Sequence, residues 1–316
     1  MDGAAKDLTP TRRRAAVGGV LVVVGAALAA WALAYPQPAP AATVVRALAD
    51  CTAAVTLGLA LVPMLDAGRY RDELARRAGG PLGWAAGVWL LAELCRVVVG
   101  AADATAVPVT RVGLRTTAEF AMSTSAGRSS LFSVAAAALV LVIALVAAKT
   151  PPSAVAAAGI TAVGLVARTV GGHMSASAFG AMAIAIHVLA AALWCGTLAA
   201  LVLTVAHRGQ WARVLPRFSE QSLWCVIALL AGGVIGALVA VDSPRQLFAT
   251  GYGRVLLLKI VLTVVLIVLA WRNRARWLPA AKSHRVTAYV SRTRSLTELA
   301  IMAVTLTMAA ALSVTG

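Results

Sequence analysis

Ser129–Ala148 reads SSLFSVAAAALVLVIALVAA, twenty residues without a charge. A helix rises about 1.5 Å per residue, so a run this long crosses the roughly 30 Å hydrocarbon core of a bilayer. Nothing in it alternates apolar with polar residues, as a barrel strand would. Working outward, comparable runs recur at about 17–35, 42–65, 83–101, 153–171, 177–206, 220–241, 254–271 and 296–314. The whole chain is 60% hydrophobic and 13% charged, with a mean hydropathy of +0.86, whereas soluble domains carry about 25% charged residues. These features predict an all-α polytopic transmembrane bundle of about nine spans, or eight if the first is removed as a signal. The expected organisation is a single membrane domain over 1–316, with N-terminal helices over 17–170 and a second group over 171–316.

The net charge of +16 would suggest nucleic acid in a soluble protein. Its distribution has a simpler explanation. If the N-terminus with Arg12, Arg13 and Arg14 is cytoplasmic, nineteen basic residues fall in inner segments and five in outer ones. Seven of the nineteen lie between Arg272 and Arg294. That bias follows the positive-inside rule, so nucleic acid is not an expected partner and the lipid bilayer is. Residues 1–41 also mimic a secretory signal, with RRR, an apolar run and PAPAA. The apolar run is long for a signal, and a retained first span is expected.

The connections are expected to be short and irregular. Residues 66–81 read as a solvated helix ending at Gly79-Gly80-Pro81, and 102–128 as an outer connecting loop. The Pro-Pro of KTPPS at 149–153 predicts a tight inner turn. Residues 207–221 read as an interfacial elbow with Trp211 and Arg213 at headgroup level. The basic run 272–294 is expected on the anionic leaflet surface. Cys51, Cys95, Cys195 and Cys225 all fall within spans and form no CxxC pair, which excludes a disulfide framework in the loops.

Ionisable residues inside spans are costly and usually face protein or water. Here they are Arg46, Asp50, Glu93, Arg96, Arg168, His187, Lys259 and Glu298. Arg46/Asp50 stand at i,i+4 and Glu93/Arg96 at i,i+3, spacings at which each pair can bridge on one helix face. With the N-terminus inside, all but Glu93, His187 and Glu298 fall in the outer half of their spans. Together with His173, they imply a polar vestibule open to the outside. Cys51 and Cys95, at similar depth, are candidate extra ligands.

Two histidines carry the functional question. His173 follows Gly171-Gly172 at the outer end of the fifth span, beside Met174. His187 lies ten residues into the sixth, roughly 15 Å deeper. Gly180, Ala183, Ala190, Ala191 and Trp194 share its face by helical spacing. Small residues allow helices to approach closely, so His187 is expected to point into the bundle. A buried histidine can simply be a hydrogen-bonded core residue. Imidazole and thioether donors together also suit copper, particularly Cu(I). The residues alone support solute or metal handling and leave both readings open.

Several stretches resemble the copper resistance protein D (CopD) family of bacterial inner-membrane proteins. HVLAAALWCGTLAAL (187–201) resembles that family's histidine helix, and RFSEQSLWCVIALLAGGVIGAL (217–238) the helix after it. ATGYGRVLLLKIVLTVVLIVLAWRNR (249–274) and TELAIMAVTLTMAAAL (297–312) are similar to its last two helices, and GGH (171–173) to its Gly-His. The likeness is strong over 171–316, which would make those spans the CopD-like core. It implies copper transport across, or delivery at, the inner membrane, taken up from the periplasmic side. His173, Met174 and His187 would be the metal ligands, and Asp50, Glu93, Arg96, Lys259 and Glu298 a polar pathway. A small periplasmic CopC-type copper-binding protein and oxidase-assembly factors are the partners it implies. Alternatives are an electron carrier with haem on histidine ligands, or a non-transporting assembly scaffold. No phosphate-binding glycine loop is present, so ATP-driven pumping is not expected. The chain is read as a carrier and not an enzyme.

Overall fold

The computed structural model describes residues 8–34, 41–168, 178–240, 246–282 and 287–315. Among them there is no strand. The helices are α1 (Leu8–Ala34), α2 (Ala41–Leu61), α3 (Arg69–Thr105), α4 (Leu114–Ser123), α5 (Ser125–Val146) and α6 (Pro151–Ala167). They continue as α7 (Ala178–Thr204), α8 (Arg208–Ala240), α9 (Gln246–Ala249), α10 (Gly251–Arg272), α11 (Leu278–Lys282) and α12 (Ala288–Thr315). Eight are long and apolar enough to cross a membrane, and α6 is a shorter apolar helix. This is the polytopic α-helical architecture that the apolar runs predict.

Helix α2 sits at the centre, packed against α3, α6, α7 and α12. Its contact with α7 is backbone on backbone. A Cβ at Gly58 would overlap the Gly196 carbonyl, and one at Gly196 would overlap the Ala54 carbonyl. Small residues at such crossings let two helices gain dispersion contact along their length, the main attraction available inside lipid. One core runs from Ala49 and Leu57 on α2 through Trp89 on α3 and Leu198 on α7 to Met302 on α12. Helix α1 packs Ala26, Ala30 and Ala34 against Val255 of α10 and Met308 and Ala311 of α12.

Several expected connections are helical instead. The Gly-Gly-Pro at 79–81 does not end a helix, and α3 runs through it for 37 residues. A proline costs a helix interior about 3 kcal/mol. Here Leu74, Ala78, Leu82, Ala86 and Trp89 form one buried stripe across it, and that packing holds the helix together. The 102–128 segment contains α4, where Arg115 and Glu119 bridge at 2.8 Å. Thr124 then caps α5 by accepting from the Gly127 N–H at 2.8 Å. The Pro-Pro turn is as expected, with Pro151 and Pro152 opening α6 behind a Thr150/Ser153 capping box.

The elbow at 207–221 and the loop at 272–294 also depart from expectation. Helix α8 continues through Pro216, and Trp211 is buried inside the protein. It lies 6.1 Å from the Trp277 ring, and the Trp277 indole donates to Ser291 Oγ at 3.1 Å. Arg213 stacks over Tyr70 and bridges Asp66 at 3.1 Å. Residues 273–277 form a π-helical turn that carries α10 into α11.

The α2–α7 crossing leads to a direct test. Gly196→Ala should cost about 3 kcal/mol, the top of the overpacking range. Gly159→Ala, whose added Cβ would meet nothing within 4 Å, should be neutral or gain up to about 1 kcal/mol from helix propensity. Thermal unfolding of the two variants in detergent compares them.

Candidate functional site: a buried ion network and an inward histidine

The polar residues gather at three levels. The first is built on Glu93, whose side chain has no solvent exposure. One oxygen, Oε1, accepts from the Trp89 indole at 2.9 Å and from Arg168 Nη1 at 2.8 Å. The other, Oε2, accepts from Arg96 Nε at 2.8 Å. Arg168 Nη1 also reaches Asp50 Oδ1 at 2.9 Å, and Asp50 Oδ2 lies 4.0 Å from Arg46 Nε. Five charged side chains from α2, α3 and the end of α6 therefore form one network. The two local pairs expected from spacing are present, and Arg168 joins them across 75 residues of chain. Nothing in the sequence around Arg168 signals that pairing. Trp89, four residues before Glu93, stands on the same helix face, a spacing visible in the sequence.

At the second level is His187, half-buried on α7. Its Nδ1 lies 2.9 Å from the Leu229 carbonyl of α8. A carbonyl only accepts, so Nδ1–H donates and the lone pair sits on Nε2. Gly232 and Gly233 of α8 make room for the ring. A Cβ on Gly232 would fall 2.9 Å from His187 Cβ, and one on Gly233 3.3 Å from Cε1. The expected inward face is there, with Gly180, Ala183, Ala190 and Trp194 buried. Lys259 is half-buried on α10.

The third level lies at the other end of the bundle. Glu298, 4% exposed on α12, accepts from Asn273 Nδ2 at 2.8 Å. Arg274 donates to the Ser219 carbonyl and hydroxyl at 2.9 and 3.0 Å. These residues line a small cleft of about 20 Å³, room for about one water molecule. The π turn at 273–277 aims Asn273 and Arg274 into it, and π turns often mark functional positions. Of these residues, the sequence pattern singles out Glu298 alone.

His173 and Met174 lie outside the described residues. Cys51 packs against Val23, Ala47 and Ala310, whereas Cys95 is exposed. Among the described residues, no three His, Cys, Asp or Glu side chains converge to hold a metal ion.

A helical bundle with charged residues paired inside it is the form of a multi-pass membrane protein. Residues 212–312 match the family described as Copper resistance protein D, and 37–184 match Copper resistance protein D-like, N-terminal domain. The chain belongs to the copper resistance protein D family. It is 37% identical over 95 residues to Inner membrane protein YebZ of Escherichia coli (strain K12), 28% of this chain and 32% of that protein. The match thus spans about a third of the relative's length. No solved structure matches. With its inner-membrane relative and its apolar helices, this is a multi-pass inner-membrane protein. Asp50, Glu93, Arg96 and Arg168 lie inside the first matched region, Lys259 and Glu298 inside the second, and His187 between them.

Removing one partner of a buried ion pair leaves the other charge uncompensated, at a cost of about 3–5 kcal/mol. Glu93→Gln should therefore destabilise the protein by about that amount in thermal unfolding. Exposed Glu119→Gln, whose partner Arg115 is also exposed, should change stability by less than about 1 kcal/mol.

Proposed function

We propose that this protein carries copper across the inner membrane, taking it from the periplasmic side as Cu(I). The observation that carries the reading is the orientation of His187. Its Nδ1–H is engaged by the Leu229 carbonyl, which leaves Nε2 as a ligand atom with its direction set. A hydrogen bond on the second ring nitrogen is the usual companion of a metal-binding histidine. On the orientation that the positive-inside count predicts, His173 and Met174 receive the ion at the outer mouth and His187 takes it about halfway down.

The remaining polar residues have separate parts in this reading. Asp50, Glu93 and Arg96 brace the wall of the outer vestibule, with Glu93 occupied by three donors. Lys259, a basic residue of α10 on the same pathway, would repel a dication twice as strongly as a monocation at equal distance, which fits Cu(I) as the cargo. Glu298 and its cleft form the cytoplasmic exit. The protein then acts as a carrier without catalysing a reaction. A periplasmic CopC-type protein that hands copper to the outer mouth is the partner that fits.

Metal analysis and absorbance spectra of the purified protein test this. Wild type should bind Cu(I), and His187→Ala should weaken binding by at least about tenfold, since loss of a supporting hydrogen bond alone costs that much. Cells with His173→Ala/His187→Ala should accumulate less copper. Unchanged binding and accumulation would overturn the transport reading in favour of a scaffold, and a Soret band would overturn it in favour of haem.

A further inference from the structure

The network around Glu93 does not balance. Three guanidinium groups, Arg46, Arg96 and Arg168, face two carboxylates, Asp50 and Glu93. Arginine stays protonated in proteins, and every contact to Glu93 is an N–H donating to a carboxylate oxygen. Among the described residues, one positive charge is left over in this cluster. The segments that adjoin α2 and α6, residues 35–40 (YPQPAP) and 169–177 (TVGGHMSAS), contain no acid to cancel it.

The hydrogen bonding is incomplete at the same place. Arg96 spends Nε on Glu93, but its Nη2 is buried and has no partner. Leaving a buried charged donor unpaired is costly. Arg46 approaches Asp50 only to 4.0 Å, too long for a hydrogen bond. The two arginines, on α2 and α3, are linked through Asp50, Arg168 and Glu93. A water molecule could accept from Arg96 but would leave the charge. A singly charged anion would accept from Arg96, attract Arg46 and neutralise the cluster at once.

We propose that Arg46 and Arg96, backed by Arg168, form a binding site for one small monovalent anion. The recognising chemistry is a guanidinium pair around a single negative charge, which chloride from solution or the phosphodiester of a lipid headgroup can supply. Arg46 stands five residues from the start of α2, roughly 7.5 Å in, at a depth both sources can reach. The site has the same charge whatever the cargo of the protein.

Thermal unfolding of the full chain tests it in two arms. In detergent without anionic lipid, chloride is titrated against gluconate at constant ionic strength. In nanodiscs held in gluconate, phosphatidylglycerol is compared with phosphatidylcholine. The expected result is a rise of a few degrees in the midpoint that saturates with chloride, with phosphatidylglycerol, or with both. Chloride alone would identify the ion as the occupant, and phosphatidylglycerol alone the lipid headgroup. Arg96→Gln should abolish the response. Arg96→Lys keeps the charge and can keep the Glu93 contact but loses the free fork. It should raise the half-saturating chloride concentration, or the phosphatidylglycerol fraction, by about tenfold. If Arg96→Gln does not fold, Arg96→Lys decides. Identical midpoints in both salts and both lipids would overturn the proposal, as would the same response in wild type and the variants.

Discussion

A carboxylate with no exposure, inside a bundle that lipid surrounds, must be neutralised by the protein itself. Glu93 meets that condition with three donors from Trp89, Arg96 and Arg168. Much of the architecture at that end of the bundle follows from it. Arg168 can reach Glu93 only if α6 ends beside α3, and its second contact with Asp50 draws α2 to the same place. The close packing of Trp89 and Ala136 around Gly164 of α6 brings those helices near enough. The cluster therefore acts as a polar pin through three helices, worth most where water is scarcest.

The second organising contact is apolar. Gly58 and Gly196 let α2 and α7 touch along their backbones, and Gly232 and Gly233 do similar work between α7 and α8 around His187. Helix α7 is thus clamped on both sides, and His187 projects between it and α8 with its ring held by the Leu229 carbonyl. The direction of the imidazole is set here by small residues and one carbonyl rather than by a network of side chains. That arrangement separates the two roles. The ion network holds the helices, while the histidine stands free of it at a different level.

The fold was legible because twenty apolar residues in a row have few fates, and nine such runs leave only a helical bundle. The inward face of His187 was legible too, since Gly180, Ala183 and Ala190 recur at helical spacing. The salt-bridged pairs Arg46/Asp50 and Glu93/Arg96 follow from i,i+4 and i,i+3 geometry. The burial of Trp211 was not legible. A tryptophan at a span end is usually expected to face the headgroups, and the core that covers this one includes Trp277, 66 residues away. The helices through Pro81 and Pro216 escaped for a related reason, because local propensity argues against them and packing overrides it.

By itself the sequence determined what each segment is: which runs cross the membrane, which end carries the basic residues, and which faces of the helices turn inward. These depend on composition and on periodicities a few residues long. The tertiary structure alone decided which segments meet. The link from Arg168 to Glu93 and Asp50, the hold of Leu229 on His187, the pairing of Asn273 with Glu298 and the unbalanced charge at Arg96 all join residues distant in the chain. Such contacts arise from the order in which helices pack, and no local pattern encodes that order.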